Sequence, residues 1–337
     1  MRPILYDFGF DIPFLGPLNF PAYFTMLALS FAIGMWMLWR EAPRLGMDRE
    51  RVLDLALWVV VWAVIGSRVL HVIADGHFMD YVHMCTDPTL VPATDARVAI
   101  CRSSAECGFD YVCSPVTHHC HVPRDCLAVV KVWRGGLAYY GGFIFASAFG
   151  LYYARKHRLG MWKMADLAAP WIAMGLALTR IGCFLNGCCF GKPTNVRWAA
   201  HFAHNRALSE SQVHAGYIVE GTPTLPVHPT QLYLAALNLL TFFVLYLWVR
   251  GRKRFHGEVF AWLLIMKGVF RSIVEIWRDD ERGVLWGWLS TSQMLSVPLV
   301  ALGIFLLVRR GRVGADLPAP PPGDPGAPPA QPVPGAP

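Results

Sequence analysis

Long apolar runs alternate with short polar connections along most of this chain. Seven of them are long enough for a helix to cross about 30 Å of hydrocarbon. They are Phe20–Trp39, Leu55–Ala74, Gly135–Tyr153, Leu167–Leu185, Leu232–Trp248, Val259–Trp277 and Leu289–Val308. Basic clusters follow the first, third, fifth and seventh: Arg40, Arg44, Arg49 and Arg51; Arg155, Lys156 and Arg158; Arg250, Arg252, Lys253 and Arg254; Arg309, Arg310 and Arg312. By the positive-inside rule this alternation predicts an N-terminus outside and a C-terminus in the cytoplasm. The expected fold is an all-α polytopic membrane protein of seven transmembrane helices.

Composition agrees with that class, since 55% of the 337 residues are hydrophobic and 13 are tryptophan. A net charge of +7 would suit nucleic acid, but the basic residues sit in short loops between apolar runs. The partner they imply is a lipid bilayer, and no nucleic acid is expected. The N-terminus lacks a basic stretch leading to a small-residue cleavage site, so no removable signal peptide is expected.

The pattern divides the chain into four regions. Residues 1–78 hold the N-terminal segment and the first two spans, and residues 131–313 hold spans three to seven with the site. Between them, residues 79–130 form an outward-facing segment with Cys85, Cys101, Cys107, Cys113, Cys120 and Cys126. An even cysteine count in a short exported loop predicts a disulfide module, with 15 possible connectivities. A zinc site at Cys120 with His118 or His119 is the alternative. Residues 314–337, rich in Pro, Ala and Gly, cannot form a core and are expected to be a disordered cytoplasmic tail.

Candidate chemistry gathers near one membrane face. The stretch TRIGCFLNGCCFGKPT at Thr179–Thr194 brings Arg180, Cys183, Asn186, Cys188 and Cys189 together, with Gly191 following. An arginine at the rim of a span is costly unless it meets an anion, a carboxylate or water, or snorkels to the headgroups. In span six, Lys267, Arg271, Glu275 and Arg278 are spaced to share one helical face. One glutamate cannot neutralise that row, and the surplus points to an anionic ligand. Guanidinium binds phosphate bidentately, which makes phosphate the natural candidate. Arg68 lies late in span two at a similar depth. Span three opens with WRGGLAYYGGF, which carries Arg134, Tyr139 and Tyr140 beside paired glycines that permit close helix contact. HPTQLYL adds His228, Gln231 and Tyr233 just before span five.

The order WRGGLAYYGG, TRIGCFLNGCCFGKPT, HPTQLY, FRSIVEIWR and STSQMLSVP resembles the bacterial prolipoprotein diacylglyceryl transferase family over most of residues 15–312. The resemblance implies an enzyme that moves diacylglyceryl from phosphatidylglycerol to the lipobox cysteine thiol of an exported prolipoprotein. A thioether forms and glycerol phosphate is released at the outer leaflet of the bacterial cytoplasmic membrane. Matching positions are Tyr23, Arg180, Asn186, Gly191, Arg271, Glu275 and Arg278. Tyr140, Arg180 and Arg271 are the expected catalytic residues. Tyr23, Arg68, Arg134, Asn186, Gly191, Gln231, Glu275 and Arg278 are the expected substrate-binding residues. No cofactor or metal is expected, and Cys183, Cys188 and Cys189 are read as packing residues or a redox liability.

The chain departs from that family in places. Tyr140 stands where a histidine usually ends the span-three motif, and Cys183 and Cys188 replace common asparagine and glutamate. Lys267 replaces an aromatic, and Leu234 a glutamate. A tyrosine with its ordinary pKa of about 10 is a poor base at pH 7, so the phenol is expected to donate a hydrogen bond. A catalytically altered paralogue that binds lipid or lipoprotein stays open at this point. A transporter would favour internal repeats meeting at mid-membrane, and the sequence shows none.

Overall fold

The computed structural model describes residues 4–12, 16–74, 77–91, 101, 112–114, 118–131, 138–202, 205–278, 284–285 and 289–313. Arg134, Cys107 and the 314–337 tail lie outside the described residues. The chain forms two compact units, Met1–Leu53 with Leu159–Pro337, and Asp54–Arg158.

The first unit begins with an antiparallel ladder of β1 (Ile4–Ile12) and β2 (Gly16–Pro21), which the apolar pattern did not anticipate. Helix α1 (Ala22–Glu41) follows directly. The second helix, α2 (Arg49–Ala74), starts in this unit and runs on into the other.

The second unit carries the short helix α3 (Phe78–Thr86) and a two-residue ladder of β3 (Val112–Cys113) with β4 (Cys120–His121). It ends in α4 (Tyr139–Lys156). Trp62 stacks on Phe149 at 5.6 Å, and the backbones of Gly66 and Gly141 meet where α2 and α4 cross. This is the close approach that the paired glycines imply.

Disulfides join Cys85 to Cys126 and Cys101 to Cys113, and Cys120 is disulfide-bonded as well. That bond removes Cys120 from the zinc alternative, because a sulfur in a disulfide is no longer a thiolate ligand. Among the described residues of this segment few aliphatic side chains are buried and the cluster is Cys101 and Cys120 with Cys113 against it, so crosslinks supply order that a core would otherwise provide.

Back in the first unit, α5 (Met161–Asn186) is central and packs against α1, α7 (Thr230–Phe243) and α9 (Glu258–Glu275). Between α5 and α7 lies the short α6 (Arg206–His214). Past Phe243 the chain continues through a π-helical stretch, Val244–Val249, into α8 (Arg250–Arg252). A minimal ladder of β5 (Val284–Leu285) and β6 (Leu289–Ser290) precedes α10 (Thr291–Val313), which packs on α9.

The largest core cluster among the described residues of this unit is Ala169, Trp171, Ala173, Phe242, Leu245, Val259 and Leu263. Two buried carboxylates tie the helix ends together. Glu41 accepts from Arg250 at 2.6 Å and from the Tyr246 hydroxyl at 3.2 Å. Asp166 meets Lys253 at 3.1 Å and accepts from the Gly257 and Phe260 amides at the start of α9, at 2.9 and 3.2 Å. Buried charge is tolerated only with such partners. Part of the basic cluster at residues 250–254 therefore braces the bundle.

Among the described residues each of the seven apolar runs carries a helix, but Phe20–Pro21 and Leu289–Ser290, expected to open the first and seventh, are strand, and α2 and α5 begin six residues before their runs. By length and composition, four helical segments among the described residues are fit to cross a membrane: Ala22–Leu45, Arg49–Ile73, Met161–Asn186 and Thr230–Arg252.

Candidate active site

The C-terminal turn of α5 is held from three sides. Gly187 takes the left-handed conformation (φ 75°) that closes a helix, and the Cys188 amide bonds back to the Cys183 carbonyl at 3.1 Å. The next three carbonyls are each claimed by a side chain from elsewhere in the unit. Asn205 donates to Gly187 O at 2.8 Å, Gln231 to Cys188 O at 2.7 Å, and Thr230 to Cys189 O at 2.8 Å. Thr230 and Gln231 are fully buried at the start of α7. The HPTQ stretch thus clamps the α5 turn through Thr230 and Gln231. Asn205 also caps α6, and sequence reasoning missed it; its N-cap character was the available signal.

Gly191 is held by close packing. Its amide donates to His228 O at 3.0 Å, and the Lys192 amide donates to Trp277 O at 2.8 Å, so this loop bridges to Arg278 at the end of α9. A Cβ on Gly191 would meet Thr230 Cγ2 at 2.7 Å, His228 Cβ at 2.9 Å and the Trp277 carbonyl. His228 bonds the Tyr233 hydroxyl at 3.1 Å, and burial pushes its imidazole below the ordinary range.

Lys267, Arg271 and Glu275 share one face of α9, but the helix ends at Glu275, so Arg278 joins them from the turn beyond it and not from the expected helical face. Arg271 Nη1 lies 2.6 Å from Glu275 Oε2, and Arg278 Nε lies 3.9 Å from the same oxygen. The Arg271 and Glu275 side chains are only 12% and 11% exposed, and Arg278 is buried. Lys267 lies on this face, close enough to Arg180 and Arg271 for their charges to repel its own. Arg180 in turn acts on the Tyr23 hydroxyl of α1 and, together with Arg278, on the Cys189 thiol. Tyr23 backs directly onto Gly182, where α1 crosses α5.

The first unit therefore brings together Tyr23, Arg180, Asn186, Gly191, Gln231, Arg271, Glu275 and Arg278, and it adds Lys267. Asn186 is exposed at the end of α5, with its side chain bonding the Cys188 thiol. Among the described residues, neither Arg180 nor Lys267 makes a hydrogen bond or ion pair, while Glu275 pairs with Arg271 and Arg278, so the charges of Arg180 and Lys267 are left over. Lipid chains cannot satisfy such a surplus, and an anion can.

Arg68 and Tyr140 belong to the other unit. The Arg68 guanidinium donates to the Ala128 and Val129 carbonyls and covers the Tyr81 ring at 4.9 Å, which ties the cysteine-rich segment to α2. Tyr140 lies in the first turn of α4 with about half its surface exposed.

A family model described as prolipoprotein diacylglyceryl transferase matches residues 12–97 and 107–309, with a break inside the cysteine-rich segment. Several curated relatives carry the name phosphatidylglycerol--prolipoprotein diacylglyceryl transferase. The one from Geobacillus kaustophilus (strain HTA426) is 32% identical over 299 residues, which is 88% of this chain and 91% of the relative. One from Vibrio cholerae is 31% identical over 298 residues, covering 87% and 88% respectively. One from Shewanella sp. (strain MR-4) is 30% identical over 317 residues, covering 91% and 95%.

Proposed function

The chain belongs to the prolipoprotein diacylglyceryl transferase family, and on that premise we propose that it transfers the diacylglyceryl group of phosphatidylglycerol to the lipobox cysteine thiol of prolipoproteins. The observation that carries this reading is the group of cations at Arg180, Lys267, Arg271 and Arg278, the last buried and the others partly buried, with Glu275 paired to Arg271 and Arg278 and no ion pair at Arg180 or Lys267 among the described residues. In the transfer, the thiol sulfur forms a bond to the glycerol carbon. The carbon–oxygen bond to phosphate breaks, and its electron pair leaves on the phosphate oxygen. A singly charged diester becomes a more highly charged monoester. Arginines fixed beside that phosphate stabilise charge as it develops, in a site of low dielectric.

Each helix then has a part. Arg180 and Arg271 bind the phosphate, and Glu275 holds Arg271 and Arg278 in register. Tyr23 and Asn186 face the lipid headgroup. The proposed topology is seven spans in the bacterial cytoplasmic membrane, with the N-terminus outside and the site facing the periplasmic leaflet. The alternation of basic clusters supports that orientation.

The test is complementation of cells depleted of their own transferase, with prolipoprotein modification scored directly. Restored modification by the wild type, and none by Arg180→Ala at equal abundance, supports the reading. Failure of the folded, inserted wild type to restore modification would favour the lipid-binding paralogue.

A further inference from the structure

The three cysteines of the α5 turn are not spread over separate surfaces. Cys183, Cys188 and Cys189 place their Sγ atoms within 4.8 Å of one another. Each thiol is in hydrogen-bonding reach of the other two. Neighbouring residues in extended backbone point their side chains apart. Here Cys189 takes a left-handed conformation (φ 64°), rare for a residue with a Cβ, and its sulfur turns back to join the others. Asn205, Gln231 and Thr230 grip the carbonyls of Gly187, Cys188 and Cys189, so the three-thiol arrangement is braced from outside. The backbone that carries the three thiols is thereby fixed before any ion arrives.

We propose that Cys183, Cys188 and Cys189 are the ligands of a zinc ion whose open fourth position takes the thiol of the incoming prolipoprotein cysteine. This rests on the transferase reading and supplies what that reading lacks, a means of making the thiolate. Tetrahedral zinc with Zn–S bonds of about 2.3 Å holds its sulfurs about 3.8 Å apart, within about 1 Å of the separations here. Three protein ligands and one exchangeable position is the arrangement of catalytic zinc. Zinc with three thiolates carries a net charge of −1, and Arg180 and Arg278 already act on the Cys189 thiol. The cationic surroundings thus favour an anionic complex.

A thiol that enters the fourth position loses its proton to solvent. The bound thiolate sulfur attacks the glycerol carbon of the lipid held by the arginines. The carbon–sulfur bond forms, and the carbon–oxygen bond breaks with its electron pair going to phosphate. The thioether product, a weaker ligand than a thiolate, departs, and glycerol phosphate is released. No oxidant or reductant is consumed.

The experiment uses the full chain in detergent, kept anaerobic without reductant so that the disulfides of the cysteine-rich segment stay closed, stripped with a chelator and titrated with Co2+. One equivalent should bind, with a sulfur-to-cobalt charge-transfer band that is lost in Cys183→Ser, Cys188→Ser and Cys189→Ser. Zn2+ should protect all three wild-type thiols from alkylation, a readout that does not depend on how the variants fold. A lipobox peptide should perturb the cobalt spectrum, and its Cys→Ser counterpart should not. Absence of the band, or a disulfide within the triad when the protein is trapped in cells, overturns the site. A band indifferent to the peptide thiol overturns its role in substrate binding. Undiminished transfer by the chelated protein overturns this inference and leaves the transferase reading standing. Absence of transfer with and without Zn2+, despite Co2+ binding, overturns the transferase reading instead.

Discussion

Arg180→Ala separates the role of a charge in binding phosphate from its role in holding the fold. Among the described residues Arg180 has no ion pair or hydrogen bond, and its charge repels that of Lys267. Removing it breaks no native pairing and relieves repulsion. The thermal midpoint in detergent should therefore stay within about 2 °C of wild type. The activity loss should resemble loss of one preorganised donor to a developing oxyanion, about 10²–10³-fold in kcat/KM, or roughly 2.7–4 kcal/mol of transition-state stabilisation. Arg271→Ala behaves differently, because it removes a partner at 2.6 Å from Glu275 and leaves Arg278 at 3.9 Å from the same oxygen. That variant should lose activity and up to about 3 kcal/mol of stability, a fall in midpoint that Arg180→Ala does not share. Lysine at position 180 should recover little, since a point charge lacks the planar fork. The assay is transfer from phosphatidylglycerol to a lipobox peptide, run beside thermal unfolding. Arg180→Ala within a few-fold of wild-type activity would refute the phosphate assignment. A large fall in its midpoint would refute the claim that its charge is held for a ligand.

Three further outcomes are expected. Gly191→Ala should destabilise the protein by about 1–3 kcal/mol, because the new methyl meets Thr230, His228 and the Trp277 carbonyl; an unchanged thermal midpoint would show that the loop shifts freely. Tyr140→Phe should slow transfer while the pH profile keeps its shape, and Tyr140→His should retain measurable activity; an ionisation lost from the profile in the phenylalanine variant would make the phenolate the base instead. A membrane-impermeant alkylating reagent should label Cys85, Cys101, Cys113, Cys120 and Cys126 only after reduction and from outside the cell; labelling without reductant, or only from the cytoplasmic side, would contradict the disulfides or the orientation.

The elements most legible in the sequence were those fixed by local pattern. Apolar runs located the helices, and the 3.6-residue period put Arg271 and Glu275 on one face, where they pair. Helix ends were placed less well, because backbone hydrogen bonding does not stop where charged residues interrupt the apolar pattern, as at Met161–Asp166, where Lys163 and Asp166 sit inside the first turns of α5. The β1–β2 ladder gave no comparable signal, since nine residues of mixed polarity can pair only once a partner strand is at hand. Site chemistry was legible wherever it depended on residue type, as with the arginines. It was hidden wherever it depended on distant partners. The Asn205 clamp and the capture of Arg68 by the Ala128 and Val129 carbonyls each join segments that are close in space alone, and the convergence of Cys183 with Cys188 and Cys189 depends on the left-handed turns at Gly187 and Cys189.

The central claim is that this cationic site cleaves a lipid carbon–oxygen bond in favour of a substrate thiol. Its most direct test is mass spectrometry of a lipobox peptide incubated with the purified chain, metal-replete, and phosphatidylglycerol. The account predicts a peptide heavier by one diacylglyceryl group in thioether linkage, one glycerol phosphate released per peptide modified, and neither product from Arg180→Ala. An unmodified peptide in the presence of folded protein that binds phosphatidylglycerol would contradict it.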